Sequence, residues 1–595
     1  MPSGDAGTSR TVAIRRVMGW SEVRAGSLTA CTVVVVAGGV LLSFSLPKLA
    51  IPWLAYVGLA PLLLFCRRAT GLRSLWLGWA CGMGFYLPLL YWVVLVMEQY
   101  GGLPRLASLL VTLLLTAYLA CYPALFAFFA SLVARRREAW YWGATPFLWV
   151  GVEVGRAHAV FGGFPWGELA YSQVPWPLLI QSADLFGTAG LNLLLVTVNG
   201  AVAASLEAWF FPAWGEAGSR WWRVLRQPVT LAAVLLFLGN AAYGVVQWSA
   251  YAPERQAAEA RGTGQTAAAA TAAGGIAGGL GQSGSGDTPP ATARRAAAGA
   301  LRLGILQGSV PQGIKWERSY REATLDIYET LSRQARAAGV DLVVWPETAL
   351  PFDFAAESAL RRRFLEGVRE SATPTVVGAP TVEAVAGAAS GESSRVFNSA
   401  YLLSPRAEVL GRYDKQHLVP FGEYVPFSWL FKFASNLTGE IGAFTPGAGV
   451  AMMELRGHPF AVLICFEIIF PELARAAARQ GAEFFLNLTN DAWFGRTSAP
   501  YQHWAMASLR AVETRRPIAR AANTGISGWI DRRGGLHAGA GLFERAVVRV
   551  TIPPRHTPLT FYVRLGYLFG WLCAAVALGF VLAALWRPRG VSGRR

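Results

Sequence analysis

Apolar runs alternate with short arginine-rich gaps along the first 250 residues, and one more apolar run closes the chain. Eight runs approach or exceed the roughly 20 residues that a helix needs to cross a bilayer. They lie near 28–46, 50–66, 73–97, 105–133, 139–157, 178–206, 229–249 and 561–586. The first does not read as a secretory signal, because it lacks a clear small-residue cleavage site and a second apolar run follows at once. Between the seventh and eighth runs the pattern changes. Residues 255–300 are Ala, Gly, Thr and Ser with almost no large apolar group, a composition that cannot offset its ordering entropy. From Leu301 short apolar runs recur, among them DLVVW, TPTVVGAP, FNSAYLL, FAVLICFE and EFFLNLTND, many bounded by Gly, Pro, Asn or Asp. Such runs predict strands. Helical patterns over 317–338, 355–370, 471–480 and 502–514 separate several of them, so an α/β domain of about 260 residues is expected.

Composition agrees. Hydrophobic residues make up 53% and charged residues 15% of the chain, with a mean hydropathy of +0.36. This excludes a disordered chain and argues against a wholly soluble one, in which about 25% of residues are charged. The net charge of +17 raises the question of nucleic acid until the charges are located. Arg10, Arg15, Arg16 and Arg24 precede the first run. Arg67, Arg68 and Arg73 follow the second, Arg135–Arg137 the fourth, Arg220, Arg223 and Arg226 the sixth, and Arg587, Arg589, Arg594 and Arg595 the eighth. With eight crossings all five clusters fall on one side, the cytoplasmic one, and both termini with them. Much of the charge is thereby membrane topology, and nucleic-acid binding loses its main support. The large polar segment is placed on the outer face. The expected division is 1–250 as a membrane domain with seven transmembrane helices, 251–300 as a low-complexity linker, 301–558 as the catalytic domain, and 559–595 as a last transmembrane helix with a basic tail.

Three short sequences carry chemistry. WPETALP puts Glu347 directly after an apolar strand. GRYDKQHLVPFGEYVPF holds Lys415 and Glu423. FAVLICFEIIFPE puts Cys465 at a strand end before a helix. Strand ends face shared crevices in α/β folds. Cys465 is the one thiol of the polar domain, so no disulfide framework exists there, and a following helix would lower its pKa. It reads equally as a nucleophile or a small buried hydrophobe. Glu347 reads as a base or a solvated strand-end carboxylate, and Lys415 as an oxyanion partner or a surface amine. With four lysines against 49 arginines in the chain, a retained lysine hints that an amine was wanted. His417, His458, His503, His537 and His556 show no metal-ligand spacing, His158 is expected in a loop, and none calls for chemistry. Glu153, inside an apolar run, reads either as a functional intramembrane carboxylate or, with more weight, as a helix-end residue in solvent.

The set WPE, DKxHLVPFGEYVP and CFE resembles the nitrilase (carbon–nitrogen hydrolase) superfamily with its Glu-Lys-Cys triad. LQGSVPQGIKW, HLVPFGEYVPF, ICFEIIFPE and NLTNDAWFG narrow the resemblance to the apolipoprotein N-acyltransferase family. The resemblance implies a polytopic α-helical membrane domain plus an extracytoplasmic α/β nitrilase-like domain, an α-β-β-α sandwich. It implies Glu347 as base, Lys415 as oxyanion stabiliser and Cys465 as nucleophile, with Glu423 orienting Lys415. Trp316, Glu467 and Trp493 match positions tied to function. Phe466 stands where some members have Tyr, leaving its backbone N–H but no hydroxyl. No metal or cofactor is expected. The implied reaction moves an acyl chain from a phospholipid, through a Cys465 thioester, to the N-terminal α-amine of a diacylglyceryl-cysteine lipoprotein in the bacterial inner membrane. The alternatives are a membrane-tethered amidase or nitrilase, and a transporter with a non-catalytic outer domain.

Two segments lie beside the motifs. The aromatic stretch after Glu423, with Trp429, Phe431 and Phe433, is expected either to pack on the core or to form a lid reaching the lipid headgroups. Deleting 258–296 is expected to leave acyl transfer in membranes largely intact, since the segment has no core to lose.

Overall fold

The computed structural model describes residues 25–159, 162–210, 224–250, 300–313, 317–384, 394–424, 444–553 and 556–586. The linker, Trp316 and the aromatic stretch 425–443 lie outside them.

The apolar runs fold as helices α1 (Ala25–Ser45), α2 (Ala60–Cys66), α3 (Leu72–Leu89), α4 (Trp92–Gln99), α5 (Arg105–Arg136), α6 (Tyr141–His158), α7 (Ala183–Phe210) and α8 (Pro228–Ala250). Among the described residues five helices are long and apolar enough to cross a membrane, and α3 with α4, bent by 55° at their break, forms either a sixth, broken span or a re-entrant loop. The second run is shorter than its apolar length suggests. It splits into a 3-10 turn (Pro52–Tyr56) and the seven-residue α2. A broken backbone among apolar helices needs internal partners. Asn199 of α7 supplies them, accepting from Leu59 N at 2.9 Å and donating to Ala55 O at 2.7 Å. Small residues let the other helices close. A Cβ on Gly39 would lie 2.2 Å from Cys81 O, and one on Gly78 2.4 Å from Pro123 O, so α1, α3 and α5 pack backbone to backbone. Glu153 is not solvated as its helix-end position suggested. It is buried and pairs with Arg156, one turn on, at 2.5 Å. Arg156 in turn donates to the carbonyls of Phe164 and Trp166.

Arg67 pairs with Glu138 and Glu207, and Arg68 with Glu207. The loops after α2 and α5 and the end of α7 therefore share one end of the bundle. The α/β domain sits at the other end. Tyr91 Oη accepts from Ser498 N, Tyr100 Oη donates to Ala492 O, and Gln502 donates to Leu89 O.

That domain has two six-stranded sheets. In the first the strands β1 (Leu301–Gln307), β2 (Leu342–Val344), β3 (Thr375–Ala384), β4 (Ser394–Leu403) and β5 (Val409–Asp414) follow in order. In the second the order is reversed: β6 (Met452–Leu455), β7 (His458–Ile464), β8 (Phe484–Thr489), β9 (Ile518–Ala522), β10 (Ser527–Ile530) and β11 (Leu536–Ala540). The last strand, β12 (Ala546–Ile552), returns to pair antiparallel with β1. The central strands β1–β2–β3 and β7–β8–β9 are parallel. Their period-2 alternation splits the side chains between two layers. Leu303, Ile305, Val344, Val462, Ile464, Leu486 and Leu488 meet between the sheets. Helices α9 (Arg318–Ala337) and α10 (Ala359–Ser371) cover the outer face of the first sheet. The second sheet carries α11 (Pro471–Arg479) and α12 (Ala499–Thr514). Residues of both are continuous with the core of the membrane bundle. The expected sandwich is thus present, and its fourth layer is also the junction with the helices. Arg515, at the end of α12, locks that junction by reaching Asp184 at 2.6 Å and Gln181 Oε1 at 2.6 Å. The last apolar run breaks at Gly566 into α13 (Phe561–Leu565) and α14 (Leu568–Leu585).

Candidate active site

Three strand ends deliver the three principal residues. Glu347 follows β2, Lys415 follows β5 directly, and Cys465 follows β7 directly. Parallel strands end on the same edge, so residues distant in sequence converge. Lys415 Nζ is 2.9 Å from Glu423 Oε1 and 3.4 Å from Glu347 Oε1. Asn398 of β4 donates to both carboxylates, at 2.9 Å to Glu347 and 3.0 Å to Glu423. Glu423 is fixed further by Val419 N, 2.8 Å from its second oxygen. Lys415 is only 1% exposed and Cys465 8%. A buried ammonium flanked by two carboxylates stays charged. Burial alone would favour the neutral amine, and Glu423 and then Glu347 outweigh it, so the Lys415 pKa rises.

The thiol behaves otherwise than the sequence suggests. Cys465 is followed by a single 3-10 turn (Cys465–Ile469) before α11. Burial pushes its pKa up, the Glu347 carboxylate pushes it further, and Lys415 opposes both. The resting group is the thiol, which needs a base to become a nucleophile. Its backbone sits at φ +52°, a left-handed conformation that costs a non-glycine residue about 1–3 kcal/mol.

Glu467 lies two residues on and is fully buried. Its Oε1 accepts from Tyr413 Oη, Gln416 N and His417 N, and its Oε2 from Ile464 N, all within 3.1 Å. It ties the segment carrying Lys415 to the turn carrying Cys465. Burial raises its pKa to about 7. A glutamine there matches at most part of this donor set. Glu467→Gln is therefore expected to cost about 1–3 kcal/mol, read as a lower thermal midpoint with a lower kcat. Phe466 packs its ring near His417 and Phe470. Trp493 meets Tyr100 of the bundle, ring centroids 4.8 Å apart, so it belongs to the junction.

Asn398 and His503 escaped the sequence reading. Asn398 left one signal, a polar side chain in the apolar run FNSAYLL. His503 left none, because its partners are 12 to 38 positions away. His158, expected in a loop, ends α6 and faces Glu472 at 3.3 Å. Among the described residues no His/Cys/Asp/Glu group is arranged to hold a metal ion.

The fold and the strand-end residues define a class: a carbon–nitrogen hydrolase domain built onto a bundle of apolar helices. Comparison with known proteins agrees. Residues 302–558 match the carbon–nitrogen hydrolase family and residues 38–201 match the apolipoprotein N-acyltransferase N-terminal domain. An apolipoprotein N-acyltransferase of Geobacter metallireducens is 40% identical over 92% of this chain and 94% of its own. Those of Methylococcus capsulatus and Vibrio vulnificus are 30% and 31% identical, over 87% and 90% of this chain and 89% and 93% of theirs. Among solved structures, an amidase from Nesterenkonia sp. AN1 is 21% identical over 44% of this chain and 93% of that one, with a TM-score of 0.32. The chain belongs to the apolipoprotein N-acyltransferase family.

Proposed function

We propose that the protein transfers an acyl chain from a phospholipid to the N-terminal α-amine of a diacylglyceryl-cysteine lipoprotein, using Glu347, Lys415 and Cys465. The observation that carries the reading is the buried ammonium of Lys415, held between Glu423 and Glu347 and acting electrostatically on Cys465.

Glu347 takes the Cys465 proton as sulfur attacks the ester carbonyl of the donor. The carbonyl π electrons move to oxygen, and Lys415 with the Phe466 N–H stabilises the resulting oxyanion. Collapse breaks the ester C–O bond, and the leaving lysophospholipid oxygen takes the proton from Glu347. A thioester remains. The acceptor amine then attacks it, Glu347 receives the amine proton, and the C–S bond breaks. The thiolate recovers its proton and the acyl chain leaves as an amide. Glu423 and Asn398 keep Lys415 and Glu347 in place and touch neither acyl group.

The helices support the same reading. Both substrates are lipids, and a site at one end of an apolar bundle meets them at the bilayer surface. The arginine clusters support a cytoplasmic location for the opposite end, and with it a site on the periplasmic side of the inner membrane.

Intact mass spectrometry of the protein incubated with phospholipid tests the chemistry. An acyl adduct on Cys465, discharged by a diacylglyceryl peptide to an amide and absent in Cys465→Ala, is expected. Turnover by Cys465→Ala, or free fatty acid as the main product, overturns the reading.

A further inference from the structure

His503 lies in α12, outside every motif that marks the active site, and is fully buried. Its Nε2 is 3.1 Å from the backbone oxygen of Cys465. A carbonyl oxygen only accepts, so Nε2 carries the proton and donates. The other nitrogen agrees. Arg520 Nη2, which only donates, lies 2.9 Å from Nδ1, so Nδ1 is the acceptor of a neutral imidazole. Asp491 Oδ1 lies 3.1 Å from the same nitrogen, but burial and the Arg520 guanidinium lower the His503 pKa and keep the ring neutral, so with Nε2 protonated Nδ1 has no hydrogen to donate to it. Arg520 is itself fixed, at 2.7 Å to Asp491 Oδ2 and 2.5 Å to Asn487 Oδ1. Asn487 donates to Leu463 O in β7. The ring of Trp166, from the membrane half, stacks 6.0 Å from the imidazole. Every polar group in this chain of contacts is buried, and it spans the ends of β7, β8 and β9.

The Cys465 carbonyl and the Phe466 N–H belong to one planar peptide and point in opposite directions. Phe466 stands at the second position of the 3-10 turn, where the N–H has no acceptor within the turn. Holding the oxygen end therefore aims the N–H end. A hydrogen bond to the oxygen also polarises the amide and strengthens its N–H as a donor. The strained φ of Cys465 needs such a clamp, since nothing in its own side chain favours that conformation.

We propose that His503 is the positioning residue of the oxyanion site, gripping the 465–466 peptide by its carbonyl so that the Phe466 N–H meets the oxyanion formed at Cys465. The inference rests on Cys465 as nucleophile. Turnover by Cys465→Ala overturns that reading, whereas the variants below test His503 with Cys465 intact.

Two reactions of the same sulfur separate positioning from general support. Acylation by a phospholipid forms an oxyanion. Alkylation by iodoacetamide displaces iodide and forms none. In the full-length protein in membranes, His503→Phe is expected to slow acylation about 10²-fold, the scale of losing one oxyanion donor. The loss falls in kcat, with KM little changed. Alkylation at Cys465, followed by mass spectrometry of its peptide, is expected to stay within about threefold, which corresponds to about 0.65 kcal/mol. His503→Gln, whose amide can again donate to the carbonyl, is expected to recover most of the acylation rate. If His503→Phe does not assemble, His503→Met removes the donor with a flexible side chain and is held to the same outcomes. Unchanged acylation in the donor-free variant overturns the proposal. So does a parallel loss of acylation and alkylation, which marks His503 as mere support for the fold.

Discussion

Glu347→Gln is expected to slow thioester formation at Cys465 about 10³-fold, within the range a general base contributes. The substitution preserves shape, and the amide oxygen still accepts from Asn398, which lies 2.9 Å from Glu347 Oε1. What disappears is the proton acceptor. The loss matters because burial holds the Cys465 pKa above its ordinary value, so the thiolate fraction at neutral pH is too small to react unaided. Raising the pH within the neutral range is expected to recover little activity in this variant, because burial, the larger cause of the raised thiol pKa, is unchanged. Quenched-flow mass spectrometry of the acyl adduct measures the effect. Wild-type acylation by the variant removes Glu347 from the role of base.

Lys415→Met is expected to lose both activity and stability. The side chains have similar length, so packing changes little. The charge change is large, because the ammonium is the shared cationic partner of two buried carboxylates. Removing one member of a buried ion pair costs about 3–5 kcal/mol. The expected signature is a lowered thermal midpoint together with undetectable acylation. Adding Glu423→Gln to Lys415→Met removes one unpaired carboxylate and is expected to restore part of the stability and none of the activity. This split distinguishes the structural share of the lysine from its catalytic share. A single variant with wild-type stability shows that the two glutamates do not depend on the ammonium.

The chain written in one dimension already holds the layers and the principal residues. Long apolar runs have no soluble alternative, so the helical half follows from composition. Short apolar runs between strand-breaking residues give the strands, but β1 and β7 are buried on both faces, so their sequence does not say which side chains meet between the sheets. Glu347 and Cys465 are legible because each follows an apolar strand, and Lys415 because lysine is scarce in this chain and its motif is specific. What the sequence does not hold is anything that depends on two segments meeting. The second apolar run reads as one helix until Asn199, some 140 residues away, is seen completing its broken backbone. Glu153 reads as solvated until Arg156 is found buried beside it. The depressed thiol pKa expected of a residue before a helix gives way to a raised one, because burial is a property of the assembled sheets and not of the local turn. Asn398 and His503 gain their roles only from partners that the sheets bring to them. Local pattern determines which groups are present and which elements carry them. Tertiary structure alone decides which charges lose water and which neighbours replace it, and those two quantities set the chemistry.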